Sequence, residues 1–171
     1  MTSADVLLDA FSRIREVVHE VCDGLGPDDL AFRADPDANS IGWLVWHLTR
    51  VQDDHVADVA ETEQVWTAQD WVTRFGFPFD PLDIGYGHTT DDVAEVQVAS
   101  GDLLTGYHDA VYDQTISYVQ GLTDADLDEI VDESWTPPVS LGVRLVSVVA
   151  DDLQHAGQAA ILRGIIERTQ A

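Results

Sequence analysis

Four stretches of this chain repeat their apolar residues at the α-helical period and none alternates as a strand does, which confines the fold to packed helices. In the first, Val6, Leu7, Ala10, Phe11, Ile14, Val17, Val18 and Val21 form one face, and GLGP at 24–27 ends it. The second opens behind Ser40, a suitable N-cap, and carries Ile41, Leu44, Leu48, Val51 and Val59 towards Glu61. The third is expected from Thr90 to Gln120, with Asp91 and Asp92 complementing the helix dipole and Gly101 and Gly106 as bend points. A further turn capped by Thr123 stops at Pro137 and Pro138, and Ser140 starts the fourth, LGVRLVSVVADDLQHAGQAAILRGIIER. Four amphipathic helices predict an all-α four-helix bundle, and connections of roughly 30 and 20 residues are long enough for crossovers. Residues 62–90, rich in aromatics, Gly and Pro, are read as a long ordered loop packed on that bundle. Such loops are uncommon without a function.

No repeat or low-complexity stretch divides the 171 residues, so one domain over 1–171 is expected. Charge narrows the partners. Eight basic residues, all Arg, against 24 Asp and 8 Glu leave a net charge of −24, a field that repels phosphate backbones and anionic lipids. Neither nucleic acid nor a membrane is expected as a partner, and no apolar run is long enough to span a bilayer. The start MTSADVLLDA carries acid at Asp5 and lacks a basic stretch or small-residue cleavage site, which points to a soluble cytoplasmic protein. The single cysteine, Cys22, can make neither an internal disulfide nor a multi-Cys zinc site, leaving His and carboxylates for any metal chemistry.

Polar groups intrude on two apolar faces. On the fourth helix Val148, His155, Ala159, Leu162 and Ile166 share a stripe, and Asp151 falls in it one turn before His155. An Asp and a His four residues apart stand close enough to chelate one ion, and an ion would compensate a buried carboxylate. A plain hydrogen-bonded Asp/His pair has the same spacing, and Asp152, about 60° to the other side of His155, is an alternative carboxylate. The second helix supplies His47, at the edge of its apolar face, and His55, eight residues on and nearer the centre, and the pattern leaves both open. Inward ligand-type residues on two helices place a candidate site inside the bundle. His19 is read as solvated, His88 as a turn or pocket residue, His108 as a surface or outer residue, and the five tryptophans chiefly as packing groups.

SIGWLVWHLTRVQDDH together with DDLQHAGQAAILRG resembles the DinB-like superfamily over essentially the whole chain, in particular its actinobacterial branch related to mycothiol-dependent enzymes. The resemblance implies a four-helix bundle with crossover connections, often dimeric, that holds one divalent metal through ligands falling here on His47, Asp151 and His155. Asp151 departs from the usual His or Glu, which keeps Asp152 in question. Maleylpyruvate isomerase members add a C-terminal domain that this chain is not expected to have, so the smaller thiol transferases are the nearer analogy. Three ligands of this type suit Zn²⁺ or Ni²⁺ with an open position, where a thiol cosubstrate such as mycothiol would be ionised to attack a small hydrophobic electrophile. His55 is then the candidate catalytic base or an outer partner of the site, Arg50 and Arg144 are candidate anchors for an anionic group, and the loop aromatics roof an apolar pocket. Hydrolysis by a metal-activated water and a non-catalytic, metal-binding stress role are the competing readings. A homodimer is expected, from the resemblance and from surplus apolar residues on the first and third helices.

Overall fold

In a computed structural model describing residues 1–170, the chain forms α1 (Ser3–Cys22), α2 (Pro27–Leu30), α3 (Ile41–Val59), α4 (Val65–Ala68), α5 (Trp71–Phe75), α6 (Thr90–Glu95), α7 (Gly101–Val119) and α8 (Leu141–Gln170). Helix α1 packs against α7 and α8, and α3 packs against the same two, so the four long helices close into a ring around one core. This is the all-α bundle that the periodicity predicts. The first helix starts on a capping box, in which Thr2 accepts from the Asp5 amide and Asp5 accepts from the Thr2 amide. Its stripe of Leu7, Phe11, Ile14, Val18 and Val21 is buried, each such side chain contributing about 1.5–3 kcal/mol of hydrophobic stabilisation. Helix α3 is the most enclosed, covered on nearly every side from Ile41 to Ala57.

The expected third helix is two. Thr89 caps α6 and Ser100 caps α7, each side chain accepting an amide of the turn it opens, and Val96 and Val98 between them are buried. Gly101 starts α7 so close to the end of α1 that a Cβ there would lie 2.2 Å from the Cys22 carbonyl oxygen. The stretch before α8 adds a small antiparallel pair, β1 (Ile130–Asp132) with β2 (Val139–Ser140), in which Ile130 lies opposite Ser140. Two residues paired with three carry too short a pattern for alternation to be read.

The loop at 62–90 is ordered and contains α4 and α5, but its aromatics serve the core. Trp66, Trp71 and Phe75 are buried with ring centres 5.1, 5.6 and 5.9 Å from that of Tyr107 on α7. The space left between Trp46, Trp66, Val72, Phe77 and Phe79 is about 10 Å³, no more than one water needs, so the expected apolar pocket under this loop is filled by its own side chains. No helix among the described residues is long and apolar enough to cross a membrane.

Candidate metal centre

Helices α3 and α8 run antiparallel, and their shared seam brings three predicted residues together. His47, Asp151 and His155 each offer a ligand atom within 4.8 Å of the other two. His155 Nε2 lies 3.7 Å from Asp151 Oδ1, and the imidazoles of His47 and His155 meet edge to face with ring centres 4.9 Å apart. His47 is buried, while Asp151 and His155 sit at the lip of the seam.

Both imidazoles are held through Nδ1, which leaves Nε2 for an ion. His155 Nδ1 donates to Gln158 Oε1 at 2.9 Å, and His47 Nδ1 donates to the Ile84 carbonyl. Such outer contacts fix tautomer and ring angle in metal sites. Burial pushes the His47 pKa below its ordinary value, so the ring is held neutral, the form that ligates. Trp43 stacks on His47 at 4.5 Å and meets His155 edge-on at 6.0 Å, closing one side of the site. Asp151 Oδ2 is enclosed and has no hydrogen-bond partner among the described residues. An orphaned carboxylate oxygen beside two imidazoles is what a divalent cation would satisfy, so the residues present fit a metal.

The turn that delivers the Ile84 carbonyl is itself built. Asp83 accepts the Gly85 amide at 2.7 Å and the His88 Nε2–H at 3.1 Å, while His88 Nδ1 accepts from Trp43 Nε1 at 3.1 Å. Gly85, at φ +88°, has no room for a side chain, because a Cβ there would lie 2.9 Å from both His47 Nδ1 and Trp46. His88 thus braces a turn against the site rather than lining an open pocket.

Two other expectations, for Arg50 and His108, are revised. Arg50 is fully buried, 3.5 Å from Asp53 and donating to Tyr107 and the Asp83 carbonyl, so it ties the loop down and is closed to substrate. His108 is fully buried rather than at the surface, its Nδ1 against Thr49 Oγ1 at 3.2 Å, and burial lowers its pKa to about 4. Asp152 is also fully buried, neither oxygen has a hydrogen-bond partner among the described residues, and it lies outside the cluster that could hold an ion, where Asp151 is the carboxylate. Burial pushes the Asp152 pKa well up. His55 does not join the triad. Its Nδ1 accepts from Arg144 Nη1 at 2.8 Å, and Arg144 Nη2 donates to Asp132 at 2.9 Å. These three residues line two clefts of about 480 Å³ each, one walled by Asp54, Asp58 and Gln64 and the other by Trp135 and Val139. Cys22 is no nucleophile either, since burial pushes its thiol up to about 12.

Gln158 and Ile84 were not singled out from the sequence. Gln158 was within reach of it, one turn beyond His155 on the same side of the helix. Ile84 was not, because it contributes only a carbonyl from 37 residues away in the chain.

Fold and site together define a DinB-like helical bundle with a His, Asp, His cluster able to hold a metal ion. The family model for mycothiol S-transferases matches residues 6–168, and the chain belongs to that family. A crystal structure of a conserved protein from Enterococcus faecalis is similar at 30% identity and a TM-score of 0.88, over 95% of this chain and 96% of that one. Among curated proteins there is no match.

Proposed function

We propose that this protein is a divalent-metal-dependent thiol S-transferase, joining a low-molecular-weight thiol such as mycothiol to a small hydrophobic electrophile. The observation that carries the reading is the convergence of His47, Asp151 and His155 around an orphaned carboxylate oxygen in a chain of the mycothiol S-transferase family. A divalent ion held by these residues, Zn²⁺ or Ni²⁺ by the character of two imidazoles and a carboxylate, supplies a Lewis acid that favours thiolate over thiol. The chain's own groups do the rest. Ile84 and Gln158 keep the two Nε2 atoms aimed inward, Trp43 excludes water from one side, and Asp151 offsets positive charge. The thiolate sulfur forms a bond to the electrophilic carbon as the bond to the leaving group breaks, or as an epoxide C–O bond opens. The thiol proton ends on the departing or newly formed oxygen or in solvent.

The nearest room for substrate is a cleft of about 360 Å³ lined by Leu44, Gln158, Ile161 and Leu162, which adjoins the triad through the contact of Gln158 with His155. The clefts beside His55 and Arg144 lie about 12 Å along the seam at 1.5 Å per residue. With Nδ1 taken by Arg144, His55 carries its proton on Nε2 and serves as a hydrogen-bond donor to ligand. The test combines metal-loaded protein, several thiols and a chromogenic haloarene or epoxide, with His155→Ala as control. Turnover that needs both thiol and metal and is lost in His155→Ala is the expected result. Product formed without thiol would replace this reading with metal-dependent hydrolysis, and no rate with any thiol would replace it with a binding role.

A further inference from the structure

The cleft that adjoins the triad has aliphatic walls and one amide at the end nearest the site. Leu44 and Leu162, 1% and 7% exposed, form its floor, and Ile161 stands 66% exposed at its lip. Its volume of about 360 Å³ is in the range of small-molecule sites. Because α3 and α8 run antiparallel, Leu44, three residues before His47, and Leu162, seven after His155, lie on the same side of the triad. The cleft therefore leads away from the site in one direction, and Asp37 and Asn39, just ahead of α3, line its far end.

Gln158 belongs to both places. An imidazole that binds an ion through Nε2 carries its proton on Nδ1, so the atom 2.9 Å from His155 Nδ1 is the amide oxygen of Gln158 and not its nitrogen. The amide nitrogen has no acceptor among the described residues, which leaves both of its hydrogens for water or for a molecule in the cleft. An aliphatic wall beside a group that can only donate is a pattern with a matching ligand.

We infer that this cleft holds the electrophile and that Gln158 selects one whose reactive carbon is activated by an acceptor oxygen, a conjugated carbonyl compound rather than a bare alkyl or aryl halide. This rests on the S-transferase reading above and narrows its substrate class. The oxygen lies at the Gln158 end, since the Asp37 carboxylate at the other end repels it, and the apolar body lies against Leu44, Ile161 and Leu162. Conjugate addition suits such a donor. The thiolate sulfur bonds to the β carbon, the C=C pair moves towards the carbonyl oxygen, and the proton given up by the thiol ends on the α carbon, with no group departing. Negative charge gathers on the oxygen on the way, where hydrogen bonds from the amide strengthen.

The test separates binding from turnover. Acetophenone and α-methylstyrene have nearly the same shape, neither reacts with thiols, and they differ by an oxygen in place of a methylene carbon. Each is titrated by NMR, without thiol, into wild type and Gln158→Glu, with and without zinc. Wild type should bind acetophenone about 3- to 10-fold more tightly, the range of one net hydrogen bond, and the Gln158 side-chain amide resonance should move with acetophenone alone. Gln158→Glu keeps an oxygen for His155 Nδ1, and so its ion, but has no donor at neutral pH and should lose the preference. Ile161→Asp, at an exposed position, should weaken both ligands alike. Equal binding of the two ligands by wild type overturns the inference. So does a preference that survives in Gln158→Glu, or one that wild type shows only with zinc, since either places the oxygen on something other than Gln158. Absence of thiol turnover in the assay above would remove the S-transferase reading and leave these affinities as they are, so the two fail separately.

Discussion

His47 and His55 lie eight residues apart on α3 and both meet α8, yet the two ends of that seam differ in kind. At the His47 end α8 offers a carboxylate and a second imidazole, and the polar atoms converge around an oxygen with no partner. At the His55 end it offers Arg144, whose guanidinium donates to His55 Nδ1 while Asp132 holds its other side. A fixed cation beside the imidazole opposes a second cation by simple Coulomb repulsion, so the same residue type on the same helix belongs to a cluster able to hold an ion at one end and to a hydrogen-bonded wall at the other. The partner helix, not the histidine, decides the chemistry.

The largest way to break that contrast is at the ligands. His47→Ala or Asp151→Ala should lower metal affinity by more than about 100-fold, beyond the range that outer contacts reach, while His55→Ala and Asp152→Ala leave one ion bound per chain. Elemental analysis and competition with a chromogenic chelator measure both. Retention in Asp151→Ala with loss in Asp152→Ala would move the carboxylate by one residue.

His108 supplies a comparison within the core, an imidazole buried as His47 is, with Nδ1 against Thr49 and Nε2 without a hydrogen-bond partner among the described residues. Its folded pKa of about 4 lies below the ordinary 6.5, so between those values the unfolded chain binds the extra proton and stability falls as pH falls. The full shift corresponds to about 3 kcal/mol, fully present above pH 6.5 and lost by about pH 4. Urea unfolding of the metal-free protein across that range should show this loss, and His108→Gln should flatten its own share of the slope. An unchanged slope in the variant would mean that other groups dominate.

Gln158→Ala sharpens the contrast further, because it removes a group that aims a ligand without removing the ligand. Metal affinity should drop about 10- to 100-fold, with stoichiometry kept at one. The smallest effect belongs to the other end. Arg144→Met removes the charge that, after burial, holds the His55 pKa down, so an NMR titration should show that pKa moving up towards its ordinary value. A downward move would mean that the Arg144 contact is not the source.

The sequence by itself determined the helices and the residue types, because helical period, N-caps and the spacing of Asp151 to His155 are properties of a few consecutive residues. It placed His47, His55, Asp151, Asp152 and His155 on or beside buried faces. It could not choose among them. Choosing His47 over His55 needs the antiparallel register of α3 on α8, and choosing Asp151 over Asp152 needs the rotation of α8 about its axis, where about 100° separates neighbours. The split between α6 and α7 follows from the close passage of Gly101 past the end of α1. The Ile84 carbonyl reaches His47 only because Asp83, His88 and Arg50 pin a distant turn against α3. Each of these depends on contacts between segments far apart in the chain, set by how whole faces pack rather than by the local spacing of residues.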